Sequence, residues 1–197
     1  QRFAEVLESL DVESLPADAR ARALALRGRA HIGLQELDAA KQAFADAVAL
    51  DPSDREAGAG LVQLALLDAD IDTADATSAR LLEQYPSDPD IMLLRAEVER
   101  RAERPEAAVA LFGEVLELEP ENLRALLGRA TTQVSLQRFD EARADLAQVD
   151  AIQPNIVIAS YLRGVMAFYE RDWEQAGERL QLVLSAQPGH VQSQLLM

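Results

Sequence analysis

The chain has 197 residues and no cysteine, which excludes disulfides and thiolate zinc sites. Its formal charge of −15 argues against a nucleic-acid backbone or an anionic membrane as the main partner. No apolar run nears the roughly 18–20 residues that would span a bilayer, so direct membrane insertion is not expected.

In chain order, residues 1–15 read as a helix with Phe3, Val6, Leu7 and Leu10 on one face. The opening Gln1-Arg2-Phe3, without an initiator methionine, suggests a piece of a longer polypeptide. The rest is periodic. Pro52, Pro86, Pro120, Pro154 and Pro188 follow one another at 34-residue intervals, each after an apolar run and before turn-forming residues. Ending each repeat two residues past its proline gives 21–54, 55–88, 89–122, 123–156 and 157–190 without insertion or deletion. Residues 1–20 are then part of a preceding repeat, and 191–197 start a further helix. Within one 1–197 array, each repeat reads as a helix A of about 14 residues, a polar turn and a helix B of about 13.

Two columns are small. The twentieth place is Ala40, Ala74, Ala108, Ala142 and Ala176, and the eighth is Gly28, Val62, Ala96, Ala130 and Gly164. Small residues there let two helices approach closely. The seventeenth place is Leu37, Ile71, Pro105, Phe139 and Trp173, and the eighteenth is acidic throughout, as suits the first turn of helix B. The seventh place is Arg27, Arg95, Arg129 and Arg163, broken by Leu61. Two readings stand for that column, a guanidinium ladder for an anionic ligand and arginines lying along the helix and pairing with acids of their own or a neighbouring repeat. Its position toward the repeat interface favours the second.

Chemistry finds little support. His31 and His190 stand nearly five repeats apart, and neither a phosphate loop nor a GxSxG or HExxH motif occurs. We expect no catalytic residues, no metal and no cofactor, hence no enzyme.

The pattern resembles the tetratricopeptide repeat family over residues 21–190, through its small eighth and twentieth places, apolar seventeenth and twenty-fourth places and closing prolines. The resemblance implies an all-α fold, a right-handed α-solenoid of stacked helix–turn–helix repeats. It also implies a non-catalytic scaffold that binds a protein or peptide partner. Its groove places are the second, fifth, sixth, ninth, twelfth and thirteenth of each repeat. They nominate Arg29, Gln63, Leu94, Glu97, Arg101, Arg124, Thr131, Tyr161, Val165 and Phe168. Lysine and asparagine, which clamp acidic chaperone tails in some relatives, are missing from the matching places. Gly58, Ser78 and Asp150 depart from the family pattern and are expected to weaken packing locally.

The alanine- and arginine-rich style of repeat also resembles scaffolds of bacterial exopolysaccharide and exosortase systems. That likeness implies a periplasmic or otherwise extracytoplasmic place in envelope polysaccharide assembly. A cytoplasmic location stays open, as do a role as the accessory domain of a larger enzyme, such as a glycosyltransferase or a protease regulator, and direct binding of an anionic polysaccharide.

Overall fold

The computed structural model describes Val12 and residues 15–197, so the helix expected over 1–15 lies outside the description apart from Val12 and Leu15. Eleven helices follow among the described residues. They are α1 (Ala17–Gly33), α2 (Leu37–Leu50), α3 (Arg55–Leu67), α4 (Ile71–Gln84), α5 (Pro89–Arg101) and α6 (Pro105–Leu118). Then come α7 (Leu123–Ser135), α8 (Phe139–Ile152), α9 (Val157–Tyr169), α10 (Trp173–Ala186) and α11 (Val191–Leu196). Each helix B has 14 residues and stops two short of its proline; from α3 to α9 each helix A has 13.

The last place of the repeat starts the next helix A. Asp54 accepts from the Ala57 N–H, Asp88 from those of Asp90 and Ile91, and Asn122 from that of Ala125. Each satisfies a backbone donor that has no partner within the helix. The A–B turn has its own rule. Gln35, Ala69, Glu103, Gln137 and Arg171, the fifteenth residues of the five repeats, all have φ between 57° and 63°. After four of them the next N–H reaches back five residues to close helix A, as from Asp70 to the Ala65 carbonyl at 2.8 Å. None of the five is glycine, so each carries left-handed strain. Ala69 is exposed. Ala69→Gly should therefore raise stability in urea unfolding by about 0.5–1 kcal/mol; an unchanged midpoint would mean that the turn is unstrained.

The described residues form two compact units, one up to Ala102 and one from Glu103 to Met197. In the N-terminal unit, α1 to α5 pack as successive hairpins, and α3 also touches α1 and α5. Ala40 and Ala74 are fully buried where the hairpins close. The Phe44 ring is clasped by two glycines: a Cβ on Gly28 of α1 or Gly60 of α3 would lie 2.6 or 2.5 Å from it. Arg55 holds Asp88 through two hydrogen bonds and adds a third to Asp90. The bond to Arg55 holds the Asp88 carboxyl below the usual carboxylate range.

Two expected weak points in this unit are filled. A Cβ on Gly58 would lie 2.8 Å from Leu81, so its small size admits that side chain. Ser78 is buried and its hydroxyl accepts from Arg95 at 3.0 Å, a polar contact a phenylalanine there could not make.

In the C-terminal unit, α6 to α11 repeat the hairpin order, with α7 touching α9 and α9 touching α11. A Cβ on Gly128 of α7 would lie 2.4 Å from the Phe112 ring of α6. Asp150, the third departure, is an exposed acceptor for Arg163 at 2.7 Å. One ion pair recurs in both units at the same places: Lys41–Asp68 at 2.8 Å and Arg143–Glu170 at 2.5 Å tie one helix B to the end of the next helix A. Such exposed pairs are worth little energetically and serve to set register.

Three members of the arginine column are engaged by helix B. Arg95 bonds Ser78, Asp75 and Glu99, and Arg163 bonds the Leu146 carbonyl and Asp150. Arg129 grips Asp145 through two bonds of 2.9 and 2.6 Å. The column is structural at these places.

Candidate functional site

Successive A helices enclose a depression in each unit, and the ninth and twelfth places of one repeat with the second, fifth and sixth of the next recur in both. In the N-terminal unit a cavity of about 350 Å³ is lined by Arg29 and Ile32 of α1 and, beside Arg55, by Glu56, Ala59, Gly60 and Gln63 of α3. These are the ninth and twelfth places of one repeat and the second, fifth, sixth and ninth of the next. The Phe44 ring forms part of the lining where Gly60 has no side chain. The Arg29 guanidinium donates to Glu56 at 2.9 Å, so this wall is charged but internally paired.

In the C-terminal unit a cavity of about 270 Å³ is lined by Tyr161, Val165, Phe168 and Tyr169 of α9 and by Gln192, Leu195 and Leu196 of α11. The lining holds no charged side chain. Burial pushes the Tyr161 hydroxyl above its usual pKa, and the ring meets His190 edge-on at 4.8 Å. His190 also caps α11, its Nδ1 accepting from the Ser193 N–H.

The structure thus brings Arg29 together with Gln63, and Tyr161 with Val165 and Phe168. The other nominees lie elsewhere. Leu94 is buried in the core cluster with Leu81 and Val98. Glu97 is occupied by Arg100 at 2.5 Å and Arg101 at 3.1 Å. The Thr131 hydroxyl donates to the Leu127 carbonyl. Arg124 is exposed at the start of α7. Gln192, Leu195 and Leu196 were missed, although a signal exists: carried one repeat further, the register puts them at the second, fifth and sixth places.

A wider cleft of about 530 Å³ lies beside the first depression, between Arg22, Leu26, Asp51, Asp54, Arg55 and Tyr85. Most of its polar groups are bound locally. Asp51 accepts from Ser53, Asp54 caps α3, Arg55 holds Asp88, and the Tyr85 hydroxyl donates to the Ser53 carbonyl. Among the described residues, no three acidic or histidine side chains converge as a metal site, and no helix is long and apolar enough to cross a membrane.

Tetratricopeptide repeat models match residues 21–54, 61–116 and 100–163. The chain belongs to the tetratricopeptide repeat family. Its fold is that of a protein-interaction scaffold. Human tetratricopeptide repeat protein 21A is 26% identical over 145 residues, 71% of this chain. The chain spans only about a tenth of that relative, since the match covers 11% of its length.

Among solved tetratricopeptide structures, PilW, a type IV pilus biogenesis factor, superposes with a TM-score of 0.80 at 18% identity, covering 89% of this chain and 82% of PilW. YrrB, described as having an unusual peptide-binding site, gives 0.67 at 20% identity over 99% of this chain and 97% of its own. At these identities the likeness is one of fold.

Proposed function

We propose that the chain is a non-catalytic scaffold that captures a peptide or protein segment on its A-helix faces. The observation that carries this reading is that five shared repeat places line a depression between A helices in both units. A recurring surface of this kind suits an extended or helical segment better than a compact metabolite. Internal pairing of Arg29 with Glu56 and of Arg101 with Glu97 favours a protein partner over an anionic polysaccharide. The exopolysaccharide style of the repeats supports an extracytoplasmic role in an envelope assembly, with the chain holding components together.

A photo-cross-linking residue at Val165 or Gln63, activated in the native cell, should give discrete adducts with one protein. The same residue at the exposed Ala144 of α8 should not. Equal labelling from Ala144, or none from either A-helix position, would rule out capture on this face.

A further inference from the structure

Five of the chain's nine aromatic residues lie between positions 139 and 173. Four of their rings form a continuous chain. Phe139 meets Tyr169 at 6.0 Å, Tyr169 meets Phe168 at 6.2 Å, and Phe168 meets Trp173 at 5.4 Å. Phe168 and Tyr169 also line the α9–α11 depression, so ledge and depression are one surface. Tyr169 and Trp173 are 57% and 60% exposed, so both rings present a face to the surface.

The surroundings of this ledge are acidic. Asp140 and Glu141 follow Phe139, while Glu170, Asp172 and Glu174 flank Tyr169 and Trp173. Three arginines are interspersed with these five carboxylates: Arg143 pairs with Asp140 and Glu170, Arg138 with Glu106, and Arg171 is exposed between Glu170 and Asp172, so the balance stays acidic. Negative ring faces beside carboxylates attract cations and repel an acidic segment.

We propose that this surface receives a basic amphipathic segment of the partner. One large apolar side chain fills the uncharged depression, and an arginine or lysine lies over Tyr169 or Trp173. The proposal rests on the A-helix face being the binding face and adds the chemistry of what binds there.

Three short labelled peptides test it by fluorescence anisotropy on the full chain: a leucine-anchored peptide flanked by arginines, its twin with glutamates for the arginines, and its twin with alanine for the leucine. The basic peptide should bind at least about tenfold tighter than the acidic twin and should loosen with added salt. Loss of the leucine should weaken it as well. Trp173→Ala should weaken it about two- to fivefold with helicity unchanged, and Trp173→Phe should restore part of the loss. If Phe168→Ala weakens both charged peptides alike while Trp173→Ala changes nothing, the face stands and the basic partner is wrong. If Phe168→Ala and Val165→Arg leave the binding of every peptide unchanged, the face reading itself fails.

Discussion

Gly128→Leu is expected to cost about 3 kcal/mol or more in denaturant unfolding, and Phe112→Leu added to it should recover most of that loss. A Cβ alone at Gly128 would sit 2.4 Å from the Phe112 ring, which is buried at 3% exposure and has nowhere to go. The remedy is drawn from the same chain. At the next joint the corresponding residues are Leu146 and Leu162, both buried in one core cluster, so two leucines fit where phenylalanine needs glycine. Phe112→Leu alone should cost about 1 kcal/mol, a modest loss of packed volume. Gly177→Ala is the control, because a Cβ there meets nothing within 4 Å; it should gain about 0.5–1 kcal/mol from helix propensity. A double variant no more stable than Gly128→Leu would show that the two places are not size-matched.

Arg129→Met should be at least as damaging, at about 3–5 kcal/mol, because it strands Asp145. That carboxylate is 3% exposed and takes both oxygens' bonds from Arg129. Replacing both partners, as Arg129→Met with Asp145→Leu, should be close to neutral, since no buried charge then remains. Unfolding curves of the two variants and the parent decide it. If Arg129→Met falls within about 1 kcal/mol of the parent, Asp145 does not depend on that guanidinium.

The proline register and the alanine column were legible because they restrict residue type directly: one position cannot donate, the other cannot hold bulk. The left-handed turn was not, because its constraint is on φ. Gln35, Ala69, Glu103, Gln137 and Arg171 share a backbone angle and no side-chain property. The size matching was also hidden, since for Phe44 and Phe112 a fitted glycine, Gly60 or Gly128, lies in the next repeat. Reading down one column makes Ser78 an irregularity; reading across to Leu94 makes it one half of a fit. That is why Leu94 looked like a groove residue and is a core one. The aromatic ledge was half visible: Tyr161 and Phe168 fall on groove places, whereas Trp173 opens helix B, and its exposure follows from the fold alone.

The fitted joints have a consequence for how this chain could change length. Phe44 meets Gly60 and Phe112 meets Gly128, whereas Ser78 and Leu146 precede Leu94 and Leu162. Excising residues 55–88 removes Pro86 but keeps the remaining prolines in 34-residue register, yet it would bring Phe44 against Leu94. Repeats of equal length are thus not interchangeable parts here. Duplication or deletion of any one of the repeats 55–88, 89–122 or 123–156 creates a mismatch that a second substitution must repair, so the order of these repeats is inherited as a whole.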